Sequence, residues 1–328
     1  MAETVTTDIL IVGAGPTGLF GAYCAGFRGL QTVVVDALPQ CGGQIAALYP
    51  EKEIRDIAAV PGARGRDVVK ALKEQADTYS PTYLLGRQAV EFRHSPEGRP
   101  QVTLSDGTVI DAGAVVLTAG IGTFTARALP AGEEYLGRGL SYFVPDPTEY
   151  ADRDVLVVGG GDSAVDWVLA LKSIARSVTL VHRRSAFRAH AASVREVHEG
   201  GAEIITDAQV SALVGDGDSI LEAHVRVDGE DEARVLKVNA VVAALGFISN
   251  LGPLVGWGIE LERRTIVVDT RMRTNVEHVY AAGDVTAYPG KVRLMAVGFG
   301  EVASAINNAA VDLDPTLSLF PGHSTDLE

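Results

Sequence analysis

Three groups of residues in this 328-residue chain have the types and spacing for chemistry on phosphates and sugars. The first is Gly13-Ala-Gly15-Pro-Thr17-Gly18, followed by Asp36. In such a turn the first glycine bends the chain and the second admits a pyrophosphate close to the backbone. The third lets a helix pack tightly on a strand, and an acid beyond the next strand accepts hydrogen bonds from a ribose 2′-OH. The second group is Gly159-Gly-Gly161-Asp162-Ser163-Ala164, followed by His182-Arg183-Arg184-Ser-Ala-Phe-Arg188. One 146-residue shift carries Gly13 to Gly159, Gly15 to Gly161, Gly18 to Ala164 and Asp36 to His182. The acid is therefore missing from the second turn; a histidine stands in its place, with arginines after it. A carboxylate repels a 2′-phosphate, whereas guanidinium groups bind it with paired, charge-assisted bonds. The first turn is thus expected to hold a cofactor with a free adenosine ribose, and the second to prefer NADP(H) over NAD(H). The third group is Gly283-Asp284, whose carboxylate can accept hydrogen bonds from sugar-like hydroxyls such as a ribityl chain; taken alone, Gly-Asp is also an ordinary turn.

These residues need strands and helices to aim them. Ile9 to Val12 reads as a buried parallel strand, the glycines as a turn, and the segment to about Gly29 as a helix, with Thr32 to Val35 the next strand. Phosphates would sit at the helix N-terminus, where free N–H groups and the dipole favour negative charge. The pattern recurs with a strand from Asp154, a helix over about Ser163 to Ala175 and a strand over Val178 to Val181. A short apolar strand delivers Gly283-Asp284, and a helix rich in small residues follows over about Met295 to Ala310. Elsewhere, Asp67 to Tyr79 has helical spacing, and Tyr83 to Phe92 and Val102 to Leu104 have strand patterns. Ala114 to Thr118 is a buried strand running into small residues, read as a first crossing between domains. The segment from Phe124 to Asp152 looks irregular. Ala202 to Thr206, Glu222 to Val227 and Asn239 to Leu245 read as strands, and Gly246 onward as the return crossing. The predicted fold class is α/β, with two Rossmann-like dinucleotide-binding domains: residues 119–246 are inserted into a domain made of 1–118 and 247–328. Between the second strand and the helical segment that starts at Asp67, Gly42-Gly43-Gln44 offers close backbone approach and a side-chain amide. Tyr49 follows in what reads as a loop, where ordinary packing and ligand contact both account for an aromatic. The tail from Leu319 to Thr325 looks unstructured.

Composition narrows the function classes. Hydrophobic residues make up 47% of the chain, enough for globular cores, and 36 glycines suit many tight turns. A formal net charge of −14 argues against nucleic acid as a partner. No apolar run reaches membrane-spanning length, and the chain opens without a signal-type segment, which predicts a soluble cytoplasmic protein. Of the two cysteines, Cys24 and Cys41, the first is expected to be a small buried apolar residue.

The order of these motifs resembles that of two-dinucleotide-domain flavoprotein reductases, and within them the thioredoxin-reductase-like type of ferredoxin–NADP+ reductase. Gly42-Gly-Gln44, Tyr49-Pro-Glu-Lys52, Gly159-Gly-Gly-Asp-Ser-Ala164, Tyr288-Pro-Gly-Lys291 and the His323 tail extend the likeness over nearly the whole chain. The resemblance implies FAD in the first domain, with Asp36 on the adenosine ribose, Gln44 near the flavin and Asp284 on the ribityl or pyrophosphate region. Val90 and Phe124 would border FAD. Tyr49 would stack on one flavin face, and His323 of a second subunit in a homodimer would cover the other, with Ser324 and Thr325 close by. NADP(H) would occupy the second domain, on its glycine turn and on His182, Arg183, Arg184 and Arg188. Thioredoxin reductases carry a Cys-x-x-Cys pair before the second glycine motif; here that stretch is Phe143-Val-Pro-Asp-Pro-Thr148, so electrons would leave from the flavin itself. The implied activity is electron transfer between NADPH and ferredoxin or flavodoxin, with no discrete catalytic residue and no metal. Two other readings fit the same motifs. One is an NADPH diaphorase or oxidase without a protein acceptor, distinguished by indifference to ferredoxin. The other is a redox-sensing binding module, distinguished by slow turnover with every acceptor.

Overall fold

The computed structural model describes residues 3–144 and 146–323. The chain begins with strand β1, Thr4–Val12, whose last four residues are buried apolar side chains. Gly15 caps helix α1, Pro16–Phe27, with Pro16 in its first turn, where a missing N–H costs nothing. Strand β2, Thr32–Asp36, lies parallel to β1 in the register Ile9↔Thr32 to Val12↔Val35. A short helix α2, Gly43–Leu48, comes next, so Gln44 and Ala47 belong to a helix and only Tyr49, its C-cap, leaves it. The loop expected around them is thus shorter than the sequence suggests. Helix α3 spans Gly65–Asp77. The strand read over Tyr83 to Phe92 is two strands, β3 (Thr82–Leu85) and β4 (Ala89–His94), divided at Gly86, which takes φ +71°. Strands β5, Pro100–Leu104, and β6, Val109–Leu117, complete this stretch.

Strand β7, Thr123–Ala126, leads away from this sheet. The segment expected to be irregular holds 3-10 turns at Glu133–Tyr135 and Pro147–Tyr150 and a short strand β8, Leu140–Ser141. The glycine pattern then recurs in β9 (Asp154–Val158), α4 (Asp162–Leu171) and β10 (Ser177–Val181). After α5, Ala191–Glu199, come β11 (Glu203–Ile205), β12 (Ala208–Gly215), β13 (Ile220–Val227), β14 (Arg234–Lys237) and β15 (Ala240–Ala243). The chain returns through β16, Phe247–Asn250, which pairs with β7. It ends with β17, Val279–Ala281, and the long helix α6, Met295–Leu313.

Two compact units result, residues 1–123 with 249–328, and residues 124–248. The first holds a sheet in the order β3-β2-β1-β6-β5-β4, with β17 also parallel to β6. Its core draws on β1, β2, β6 and β17, and on the small-residue faces of α1 and α6. A Cβ on Gly21 of α1 would lie 2.7 Å from Val302 of α6, so close packing of these helices requires a residue without one. The second unit holds the parallel sheet β8-β15-β9-β10-β11 and an antiparallel meander β12-β13-β14. Both central sheets place a glycine turn at the carboxyl end of a middle strand, where open α/β sheets bind their ligands. No helix among the described residues is long and apolar enough to cross a membrane.

Candidate cofactor sites

In the first unit, Gly13 takes φ +117°, and a Cβ there would meet the Thr118 carbonyl oxygen at 2.5 Å. A Cβ on Gly18 would lie 1.8 Å from the Gly13 carbonyl oxygen, so helix and strand touch backbone to backbone. Thr118 Oγ1 donates to that same carbonyl at 2.8 Å. Gly15 differs: its Cβ direction is open save for Gly43 Cα at 3.9 Å. Gly42 N–H donates to the Ala14 carbonyl at 2.8 Å, and a Cβ on Gly43 would lie 3.0 Å from Gly15 Cα, so two glycine-bearing backbones meet directly. Asp36 stands beside this glycine turn. One carboxylate oxygen accepts from Ala14 N–H at 2.7 Å and the other from Leu38 N–H at 2.8 Å. Burial pushes this carboxyl above the ordinary aspartate range, against the pull of those two amides. Each oxygen keeps a lone pair for a ribose hydroxyl.

The other predicted residues of this unit gather around the turn in part. Gln44 lies over Gly120, whose Cβ would sit 3.0 Å from Gln44 Nε2. Tyr49 is half-buried, and burial first, then the nearby charges of Asp284 and Asp56, raise its hydroxyl pKa. The half-buried Asp284 carboxylate has no hydrogen-bond partner among the described residues and is available to a ligand. Gly283 takes φ +84°, and Thr17 Oγ1 would be 2.9 Å from a Cβ there, which ties the first turn to the third motif. Val90 lies at a bulge on β4, where its carbonyl accepts from Trp257 Nε1 at 3.4 Å. The turn before it hangs on the end of β2, through Gly86 N–H to Leu38 O and Arg87 N–H to Asp36 O. Phe124 falls on β7, and its side chain lies outside the described set. His323 is exposed, edge-on to Phe320 at 5.1 Å, and Ser324 and Thr325 lie outside the described residues. Cys24 is only partly buried against the core; Cys41 is the buried one.

The second unit repeats the backbone bonds of the first turn. Gly159 N–H donates to Val181 O, as Gly13 N–H does to Val35 O. A Cβ on Gly159 would meet the Ala244 carbonyl oxygen at 2.4 Å, and Ala164 fills the place of Gly18. His182 occupies the register position of Asp36, but it lies inward. Its imidazole sits 2.1–2.3 Å from where a Cβ on Gly160 would be, stacks on Phe187 with ring centres 5.0 Å apart, and places Nε2 3.2 Å from Ala186 O. Arg183, Arg184 and Arg188 are exposed, and their side chains have no ion pair among the described residues. The backbone of Arg188 is anchored by its N–H to Gly160 O at 2.8 Å. Asp162 opens α4 and accepts from His190 N–H at 2.9 Å, which joins the starts of α4 and α5, while Ser163 beside it is exposed. Gly161 has no atom within 4 Å of its Cβ direction, so the helix start is bare. Exposed N–H groups, a bare glycine and three unpaired guanidiniums make a donor set for phosphates.

One group escaped the sequence reading. Glu301, on α6, and Lys291 are a buried ion pair with side-chain exposures of 5% and 9%. Glu301 accepts from Gly283 N–H at 2.7 Å, from Lys291 Nζ and from the Tyr288 hydroxyl, while Lys291 donates to Gly283 O at 2.9 Å. Burial, then the bond to Glu301, push the Tyr288 hydroxyl up to about 12. The signal lay in the period of α6: Gly298, Glu301, Val302, Ala305 and Ala309 share its buried face, and one of them is an acid. Among the described residues no cluster of His, Cys, Asp and Glu has the arrangement to hold a metal ion.

Residues 7–309 match the family model described as pyridine nucleotide-disulphide oxidoreductase. A ferredoxin–NADP reductase of Nocardioides sp. is 54% identical over 99% of this chain and 98% of its own length. One from Saccharopolyspora erythraea is 57% identical, covering 98% and 97% of the two chains. Among solved structures, the thioredoxin reductase of T. acidophilum superposes with a TM-score of 0.80 at 26% identity, over 94% of this chain and 98% of that one.

Proposed function

This chain belongs to the pyridine nucleotide-disulphide oxidoreductase family, and we propose that it is an FAD-dependent enzyme passing electrons between NADPH and a ferredoxin. The observation that carries the reading is the contrast at one register position. An acid, Asp36, rims the first glycine turn, whereas arginines flank the second. Two different dinucleotides are thereby accommodated, one with a free ribose hydroxyl and one with a 2′-phosphate. The acceptor comes from the relatives, which resemble this chain over nearly its whole length. Its cysteines argue the same way: both lie in the first unit, so the inserted unit has no thiol pair for disulfide exchange.

In this reading the chain's own groups bind and orient. Backbone N–H groups at the starts of α1 and α4 face the pyrophosphates, Asp36 accepts from the FAD ribose, and Asp284 accepts from the ribityl chain. Gln44 and Tyr49 border the flavin. On the other unit, Arg183, Arg184 and Arg188 grip the 2′-phosphate, and Gly159, Gly161, Asp162, Ser163 and Ala164 shape the turn. FAD, once bound, supplies the exchange between two-electron and one-electron chemistry. We further propose a homodimer, in keeping with the exposed apolar tail residues Leu319 and Phe320, and a cytoplasmic setting.

The test is NADPH-dependent cytochrome c reduction by the FAD-loaded protein, with and without ferredoxin, across a salt series. Ferredoxin is expected to raise the rate several-fold, with the stimulation weakening as salt rises. A rate indifferent to ferredoxin would replace this reading with a diaphorase.

A further inference from the structure

Net stability alone does not account for the Lys291–Glu301 pair. A buried ion pair adds little net stability over apolar residues of the same volume, because both charges are desolvated. What this one adds is geometry. Glu301 takes the N–H of Gly283 on one carboxylate oxygen and the Lys291 ammonium with the Tyr288 hydroxyl on the other; Lys291 in turn takes the Gly283 carbonyl. Both backbone groups of Gly283 therefore meet this pair of side chains, the carbonyl accepting from Thr286 N–H and Oγ1 as well. That residue has φ +84°, and the next, Asp284, offers an unpartnered carboxylate. A free Gly-Asp turn has many orientations; this one is pinned from both sides.

We propose that the Lys291–Glu301 pair, with Tyr288, sets the Gly283-Asp284 turn for the flavin half of FAD, and that Glu301 is a positioning residue for cofactor binding. The inference rests on the reading of Asp284 as an FAD ligand. Only an ionised carboxylate can serve both sides of Glu301. A glutamine, however turned, would direct its NH2 group at another donor, either Gly283 N–H or the Lys291 and Tyr288 side. Methionine at 291 would leave the Glu301 charge buried without its cation, and the Gly283 carbonyl held only by Thr286 N–H and Oγ1.

The experiment measures dissociation constants of FAD and of ADP for the apoprotein, by flavin fluorescence and by calorimetry. ADP probes the adenosine end, which Asp36 rims, and not the flavin end. Glu301→Gln and Lys291→Met are each expected to weaken FAD by roughly tenfold or more while moving ADP by less than about twofold. Two references separate the alternatives. Asp312→Asn loosens the other end of α6, where Asp312 holds Tyr280 and Arg273, and is expected to lower the apoprotein's melting temperature with no change in the FAD-to-ADP ratio. Asp284→Asn tests the premise and is expected to weaken FAD alone. FAD and ADP weakening in parallel in the Glu301 and Lys291 variants would overturn the proposal, reducing the pair to a core element. So would unchanged FAD affinity in those variants beside a loss in Asp284→Asn. Unchanged FAD affinity in Asp284→Asn would instead remove the premise, and the proposal with it.

Discussion

Asp36 and His182 stand at equivalent ends of two strands and are held in opposite ways. The carboxylate of Asp36 is held between the Ala14 amide of the glycine turn and the Leu38 amide, whereas the His182 ring lies under Gly160 and leaves the rim to arginines. Two expectations follow at this scale. Arg183→Ala and Arg184→Ala should each raise the KM for NADPH on the order of 10- to 100-fold, the weight of a charge-assisted hydrogen bond of about 1.5–3 kcal/mol. The KM for NADH should stay nearly unchanged; equal losses for both would remove these arginines from the 2′-phosphate. The second concerns pH. Burial raises the Asp36 pKa in the free protein, and a ribose hydroxyl donates more strongly to the ionised form. The FAD complex therefore binds fewer protons than the free protein plus FAD. Affinity is full above the raised pKa and falls as pH drops through it, beginning above the ordinary aspartate value near 3.9. FAD release titrated against pH should show this onset, and Asp36→Asn should flatten it. The acid and the arginines were legible because register alone exposes them. The inward turn of His182 was not, since nothing in a strand's sequence says which way its last side chain goes.

At the scale of elements, glycine positions that look alike in sequence carry different loads. Gly18 is filled by the Gly13 carbonyl at 1.8 Å, which as main chain cannot step aside. Gly18→Ala should cost about 3 kcal/mol or more, read as a fall in the unfolding midpoint. Gly161, at the matching helix start, faces open space, and Gly161→Ala should stay within about 1 kcal/mol of the parent while weakening NADPH. A comparable loss of stability in both variants would contradict the packing described here. The strand–turn–helix units could be read because apolar runs and glycines mark their ends. The division of β3 from β4 at Gly86, the short helix α2 and the strand β12 could not. Each depends on tertiary partners: Gly86 N–H is held by Leu38 O, and β12 exists through its pairing with β13.

At the scale of the molecule, the hydrophobic residues sort by unit. One core takes residues between Ile9 and Leu117 and again between Leu251 and Ala309; the other two take residues between Leu129 and Ala243. The inserted unit is therefore a continuous stretch with its own interior, whereas the first unit needs both ends of the chain. The termini of the insert also meet, since β7 and β16 pair. A contiguous stretch with its own core and adjacent ends has what an autonomous domain requires. Residues 119–250 expressed alone should thus unfold cooperatively and bind NADPH or 2′,5′-ADP with an affinity within about tenfold of the full chain's, and should bind no FAD. Calorimetric titration with 2′,5′-ADP checks this directly. A fragment that folds but ignores the 2′-phosphate would place the NADP determinants outside the arginine segment. Binding that requires the full chain would mean that the first unit completes the nucleotide site.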